Sequence, residues 1–287
     1  MDYTIEGTTK RYKGNSSCSY PSYLPKEEEL CKYGCEFEFY INTEKYDYRK
    51  TIQALTKALY DITSADILVD EISIPNASDK NRCMQIKPDI SLQDNGVDIS
   101  VPISCQEGII HFIDKITPLI DKYGYTNEET GFHIHISTLK KSSSHIDFYR
   151  FMLLCENSNL LTSWEPREGY SQNVMDILSS SAKREARIIK TKKGTIWNLE
   201  RIDSHHIEIK SIGGVDYHKE PDKIIQEFKV YANNFIETLG EMTQAHKQLL
   251  LEHKKRVDEL SKEAKSNFAS ALSEAGILDI KETSKKS

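Results

Sequence analysis

Ionisable residues recur at every second position in several short stretches of the sequence. In CEFEFYI, Glu36 and Glu38 alternate with two phenylalanines, and in GFHIHIS, His133 and His135 alternate with apolar residues. Because strand side chains alternate between two faces, each pair shares one face. Neighbouring carboxylates repel each other, so Glu36 and Glu38 require open water, or a proton, a cation or a basic side chain between them.

Two further stretches extend this pattern. IKPDISLQDNGVDISVP places Asp89 at the end of one strand and Asp98 in the next, and HHIEIKSIGG places His206, Glu208 and Lys210 on one strand face. Carboxylate oxygens are the ligands that Mg²⁺ and Mn²⁺ prefer. The pattern indicates a cation-binding bowl, and the alternative is the solvated charged face of an antiparallel sheet.

The strands that must position these residues are predicted from alternating apolar residues. They cover residues 35–41, 67–74, 84–90, 96–101, 131–137, 195–201 and 206–212. Helical spacing of apolar residues predicts helices over 48–62 and 108–123, with further helices over 145–157 and 172–188. Alternating polar and apolar strands are typical of an antiparallel sheet that packs on helices with one face, rather than of a doubly wound parallel sheet.

The two ends of the chain have different patterns. Residues 1–30 predict an irregular arm, and residues 31–220 predict the principal domain. Residues 221–275 predict one long helix, followed by a polar tail over 276–287. An apolar stripe continues along this helix at Val257, Leu260, Ala264 and Phe268. The helix either projects to pair with a partner or a second copy, or folds back on its own domain.

Composition excludes several classes of protein. A chain of 287 residues with net charge −6 can bury a core, and it lacks the basic patch typical of nucleic-acid binding. The sequence has no apolar run long enough to cross a bilayer and no secretory segment near its start, which predicts a soluble cytoplasmic protein. Its six cysteines are dispersed, which favours reduced thiols over a disulfide framework or zinc site.

The motifs GCEFEF, KPDISLQDNGVDISVP, GFHIHIS and WNLERIDSHHIEIKSIGG, in this order, resemble the successive blocks of the amidoligase family. This family belongs to the carboxylate-amine ligases related to glutamine synthetase, and the resemblance covers about residues 33–214. It implies an α+β fold, with a cupped antiparallel sheet of glutamine-synthetase-like type and covering helices. It also implies ATP bound in the cup and two or more Mg²⁺ ions, or Mn²⁺, held by the strands.

The resemblance also implies roles by position. The implied metal ligands are Glu36, Glu38, Asp98, His135 and Glu208; the implied nucleotide-binding residues are His133, His135, Ser91, Asn198 and Lys210; and the implied catalytic residues are Lys210, Glu208 and Asp89. Two positions depart from the family pattern. Asp98 stands where glutamate is usual. Lys210 stands where arginine is usual, so the positive charge is kept but the two-point contact of a guanidinium group is lost.

The implied activity is an ATP- and Mg²⁺-dependent ligation of a small-molecule or peptide carboxylate to an amine through an acyl phosphate. Arg184, Arg187, Lys192 and Lys193 are candidate anchors for the carboxylate. One alternative is a catalytically degenerate binding or assembly protein that acts through its C-terminal helix, with a homo-oligomer as the expected assembly. A metal-dependent hydrolase is a third interpretation. It explains less well why a positively charged side chain would face the phosphate.

Overall fold

The computed structural model describes residues 3–6, 9–12, 23–26, 28–45, 47–63, 66–70, 83–89, 91–92, 94–139, 148–158, 164, 196–198, 205–255, 258–259 and 262. Within these residues the chain is a mixed α+β structure with a mostly antiparallel open sheet, as the alternating strands predict. The finer resemblance to the glutamine synthetase sheet stays a prediction.

Ten strands of the described chain form one sheet. They are β1 (Tyr3–Glu6), β2 (Thr9–Tyr12), β3 (Cys31–Ile41), β4 (Ile67–Asp70), β5 (Met84–Pro88), β6 (Gly96–Ser100), β7 (Gly124–Tyr125), β8 (Gly131–Thr138), β9 (Trp197–Asn198) and β10 (His206–Gly213). Their order is β1-β2-β4-β5-β6-β3-β8-β10-β9, and β7 pairs with the far end of β3. Only the β4–β5 pair is parallel among these strands.

Helices of the described chain cover one face of this sheet. They are α1 (Tyr48–Thr63), α2 (Gln106–Tyr123), α3 (Phe148–Asn157) and α4 (Pro221–Leu239), with a short 3-10 helix at Tyr217–Lys219 and a further helix over residues 244–255. In β3, Phe37 and Phe39 are fully buried in a core that also contains Phe112 of α2 and Phe228 of α4. Since strand side chains alternate, the glutamates of β3 point to the opposite face.

The predicted strands 35–41, 84–90, 96–101, 131–137 and 206–212 and helices 48–62, 108–123 and 145–157 are confirmed in their described parts, with bounds that shift by a few residues. Strand 195–201 is seen at Trp197–Asn198 and strand 67–74 at Ile67–Asp70. The predicted helix over 172–188 lies outside the described residues.

The prediction of an irregular N-terminal arm is wrong for residues 3–6 and 9–12. Strands β1 and β2 form an antiparallel pair, and β2 continues the sheet by pairing with β4. Their sequences, YTIE and TKRY, are rich in the β-branched and aromatic residues that favour strands. The Gly- and Ser-containing segment that predicted an arm begins after them.

The predicted single helix over residues 221–275 is interrupted. Helix α4 ends at Leu239, and Gly240 has an extended backbone. The next helix begins with a reciprocal cap, in which the His246 amide donates to Thr243 Oγ1 at 3.2 Å and the Thr243 amide donates to His246 Nδ1 at 3.3 Å. His246 and His253 are buried within the chain, so this helix folds back over residues 244–253. The apolar stripe from Val257 to Phe268 lies outside the described residues.

The thiols and the membrane prediction can be checked in the described residues. Cys31, Cys35, Cys83, Cys105 and Cys155 are all free and buried, which confirms the prediction of reduced cysteines for these five. No described helix combines the length and the apolar character needed to cross a bilayer.

Candidate functional site

Polar side chains from neighbouring strands meet on the sheet face opposite the helix-packed core. The register that brings them together runs across strands β5, β6, β3, β8, β10 and β9. Directly paired positions are Lys87 with Asp98, Asp98 with Glu38, Ser100 with Glu36, Glu36 with His133, His135 with Glu208, and Glu208 with Asn198. Directly opposite side chains in antiparallel strands have Cβ atoms about 5 Å apart, so this register alone concentrates the ionisable groups.

The imidazole of His133 lies between the two glutamates of β3. Its Nε2 is 3.3 Å from Glu38 Oε1, and its Nδ1 is 3.5 Å from Glu36 Oε2 and 3.4 Å from Glu208 Oε1. His133 and Glu38 are buried. A basic side chain therefore separates the two carboxylates that would otherwise repel each other across the strand face.

Burial and charge shift the pKa values of these groups in opposite directions. Burial favours the neutral forms, but the charges of His135, His133 and Lys87 hold the pKa of Glu36 well below its usual value. The same balance, with His135 as the strongest partner after burial, lowers the pKa of Glu208. Burial is outweighed by carboxylates at both histidines, so the pKa values of His133 and His135 are raised.

Glu36, His135 and Glu208 can bind one metal ion together. One ligand atom from each lies within 4.8 Å of the others. Two nitrogens in this region, His133 Nδ1 and His135 Nε2, are buried and have no hydrogen-bond partner within the described part of the chain. His135 Nε2 is 3.6 Å from Glu36 Oε1, which is ion-pair distance without hydrogen-bond geometry. A buried polar atom without a hydrogen bond indicates a missing partner, and a cation meets that requirement.

A second cluster lies on the β5 side of Glu36. Lys87 Nζ is 2.7 Å from Asp98 Oδ2 and 4.0 Å from Glu36 Oε1, and it donates to Ser100 Oγ at 3.3 Å. Ser100 Oγ also lies 3.2 Å from Asp98 Oδ1 and 3.3 Å from Glu36 Oε1. Burial, and then the charge of Glu36, raise the pKa of Asp98 to about 8 even though Lys87 opposes the shift. The carboxylates here carry more negative charge than Lys87 alone compensates.

The β10 side of the site carries the second lysine. Lys210 Nζ is 3.1 Å from Glu208 Oε1, and Asn198 Nδ2 donates to Glu208 Oε2 at 2.5 Å. A bulge in the β8–β10 pairing lies between Ile209 and Ile212, at the position of Lys210. Both oxygens of Glu208 are thus held by neighbours on its own and the adjoining strand.

A series of polar contacts extends from this site to His206, the first residue of β10. His135 Nδ1 is 3.3 Å from His206 Nε2, and the two rings stack with centroids 5.3 Å apart. His206 Nδ1 in turn lies 2.7 Å from Ser137 Oγ. The structure places Ser137 in the site by its register opposite His206.

The structure brings most of the predicted site residues together on this sheet face, but not all of them. Glu36, Glu38, Asp98, His133, His135, Asn198, Glu208 and Lys210 are brought together. Asp89 and Ser91 instead pair with each other in a turn after β5, where Asp89 Oδ1 accepts from the Ser91 amide and Oγ at 2.7 Å each. Their predicted catalytic and nucleotide-binding roles stay predictions. The candidate anchors Arg184, Arg187, Lys192 and Lys193 lie outside the described residues.

Sequence reasoning missed Lys87, Ser100 and Ser137 as members of the site. Each lies two residues from a predicted member of the site on the same strand or its end, at Asp89, Asp98 and His135. The period of two along a strand was the signal that could have found them. What the sequence could not supply was the strand order that places β6 beside β3 and β8 beside β10.

Comparisons with protein-family models and with curated proteins each found no match to this chain. The function is therefore inferred from the motifs and from the geometry of this face.

Proposed function

We propose that this protein is an ATP- and Mg²⁺-dependent carboxylate-amine ligase whose active site is the polar face of the sheet. The observation that carries the proposal is the convergence of Glu36, Glu38, His133, His135 and Glu208 from three adjacent strands, with a lysine on either side. The order of the four motifs and their resemblance to the amidoligase blocks support the same activity.

The donor set fits a hard divalent cation. Two carboxylates and one imidazole within 4.8 Å of one another suit Mg²⁺ or, because of the imidazole, Mn²⁺. The pKa values of Glu36 and Glu208 are lowered, so both carboxylates stay ionised and supply negative charge that a divalent ion would balance. When bound, it neutralises phosphate charge and aligns the triphosphate for transfer.

The reaction proceeds in two substitutions. A carboxylate oxygen of the substrate attacks the γ-phosphorus of ATP, an O–P bond forms, and the bond between that phosphorus and the β–γ bridging oxygen breaks to release ADP. The amine nitrogen then attacks the acyl carbon, a C–N bond forms, inorganic phosphate leaves, and the amine proton passes to solvent. Charge stabilisation and alignment carry most of such phosphoryl transfer.

Particular residues supply what these steps need. Lys210 provides a positive charge for the transferring phosphoryl group, and Glu208 orients it through the 3.1 Å ion pair. Asn198 holds the other oxygen of Glu208, which keeps that carboxylate in place. Glu36, His135 and Glu208 would hold the cation, and His133 keeps Glu36 and Glu38 apart.

The test is isothermal titration of the protein with ATP, with and without Mg²⁺, followed by ADP release assays with a panel of carboxylates and amines. We expect ATP binding that depends on Mg²⁺ and ADP release that depends on both co-substrates. If ATP binds neither with nor without Mg²⁺, the ligase proposal is rejected and the alternative of an assembly protein is left. Binding followed by ADP release with water alone would assign a hydrolase.

A further inference from the structure

Lys87 occupies a position in the site where a second metal ion would otherwise be expected. The resemblance implies two or more cations, and the acids of this face divide into two groups around Glu36. On one side, Glu36 faces His135 and Glu208, whose ligand atoms are arranged for an ion. On the other side, Glu36 faces Asp98, and an ammonium group already lies between these carboxylates.

The backbone register fixes Lys87 at this place. Lys87 on β5 is directly opposite Asp98 on β6, and Asp98 is directly opposite Glu38 on β3. Ser100 joins the same cluster through contacts with Lys87, Asp98 and Glu36. Asp98 is buried and Lys87 is one-fifth exposed, so the ammonium group is largely screened from water. An ion pair set by strand pairing and held by a hydroxyl is a built feature of the site rather than a surface contact.

On the other side of Glu36, the Lys210 ammonium contacts Glu208 Oε1 at 3.1 Å, and buried imidazole nitrogens still lack a hydrogen-bond partner among the described residues. His133, whose side chain is 6% exposed, directs Nδ1 toward Glu36 and Glu208 without a hydrogen bond to any described residue. This unsatisfied buried nitrogen, together with the triad of Glu36, His135 and Glu208, points to a ligand on this side only.

We propose that the Lys87 ammonium replaces one of the two cations, so that the site binds a single divalent ion, between Glu36, His135 and Glu208. Asp98, an implied metal ligand, then serves as the counter-ion of Lys87. The inference rests on the metal-binding part of the proposed function. The shorter aspartate suits this role, because Asp98 has to reach only Lys87 on the neighbouring strand.

The experiment is a titration of the wild-type chain with Mn²⁺. Electron paramagnetic resonance monitors it, because the signal of free Mn²⁺ reports how much ion stays unbound. We expect one Mn²⁺ per chain for the wild type and two for Lys87→Met, because removal of the ammonium leaves Glu36, Asp98 and Ser100 to bind a second ion. Lys87→Gln is a second variant that removes the charge but keeps a polar end, and it is also expected to bind two. Lys87→Arg is the matched control, and since it keeps the charge we expect one.

Each other outcome has a distinct meaning. Two Mn²⁺ ions in the wild type would overturn the role of Lys87 and leave the metal-dependent ligase intact. One ion in the wild type and one in both Lys87→Met and Lys87→Gln would also overturn it, provided that circular dichroism shows a folded variant. No Mn²⁺ in the wild type would overturn the metal-binding part of the proposed function, and this inference with it.

Discussion

At the scale of single residues, Glu36 is the most connected group of the site. Its carboxylate lies within 4.0 Å of His133, His135, Lys87 and the Ser100 hydroxyl. Repulsion from Glu38 is therefore a smaller influence than the surrounding positive charge. This explains why its pKa is held low despite burial.

Glu36→Gln is expected to abolish Mn²⁺ binding and to lower the free energy of unfolding of the metal-free protein by about 1.5–3 kcal/mol, the range for hydrogen bonds to a charged group. A carboxylate with a lowered pKa stabilises the fold above its unfolded pKa, and this contribution is lost as the pH falls through the folded pKa. The variant should therefore lose most stability, relative to wild type, near neutral pH. Urea unfolding measures this, with the exposed Glu44→Gln as control. A metal-free variant more stable than wild type would show that repulsion dominates.

Lys210 is the residue whose replacement should separate turnover from binding. Lys210→Met is expected to reduce the rate of ADP release by on the order of a hundredfold or more while changing ATP affinity much less, because its charge matters most in the transition state. Lys210→Arg should retain activity or raise it, since arginine keeps the charge. Equal rates for wild type and Lys210→Met with every co-substrate mixture would contradict the role.

At the scale of elements, Arg150 of α3 explains where α4 ends. Its guanidinium donates to the carbonyls of Glu237 at 3.1 Å, of Thr238, and of Gly240 at 2.9 Å. These carbonyls lie at the end of a helix, where intrahelical donors run out, and the Glu237 carbonyl also accepts from the Gly240 amide at 3.3 Å. One buried side chain thus ties α3 to the C-terminus of α4.

Arg150→Met is expected to lower the free energy of unfolding by about 1.5–3 kcal/mol, the range for hydrogen bonds to a charged group. Denaturant unfolding monitored by circular dichroism measures this loss. The exposed Arg49→Met of α1 is the control, and it should change stability by less than about 0.5 kcal/mol. Equal, small losses in both variants would show that α4 is held by its apolar packing alone.

His218, in the short helix before α4, is expected to make the fold sensitive to acid. Burial lowers the pKa of His218, although Asp121 and Asp216 oppose the shift. Because the folded pKa lies below the unfolded one, stability is complete above the unfolded value and falls as the pH drops below it. His218→Gln should therefore show a smaller fall in melting temperature between about pH 7.5 and about pH 5.5. An identical fall would assign the pH dependence to other groups.

At the scale of the whole molecule, a ligand at the polar face should stabilise the entire fold. The site is contributed by strands from residue 36 to residue 210, so global unfolding separates its ligands. Binding to the folded state alone adds about 2.7 kcal/mol at a Mn²⁺ concentration about one hundred times the dissociation constant. The melting temperature should therefore rise with Mn²⁺ in wild type and not in His135→Asn. A similar rise in both would place the ion elsewhere.

Local patterns in the sequence determined which residues share a strand face and which helices cover the sheet. The period of two is sufficient to place Glu36 with Glu38, and His133 with His135, on common faces. Such patterns depend on neighbouring residues and on backbone geometry, which a short stretch of sequence contains. The antiparallel character of the sheet followed from the same alternation.

Strand order and register, by contrast, were decided only by the tertiary structure. Asp98 and Glu38 pair because β6 lies beside β3, and His133 separates two glutamates because β8 lies beside β3. The break at Gly240 likewise depends on Arg150, about ninety residues earlier in the chain, as well as on the glycine itself. These contacts join residues that are distant in sequence, and their energies depend on burial and on charges supplied by other strands, which no local pattern records.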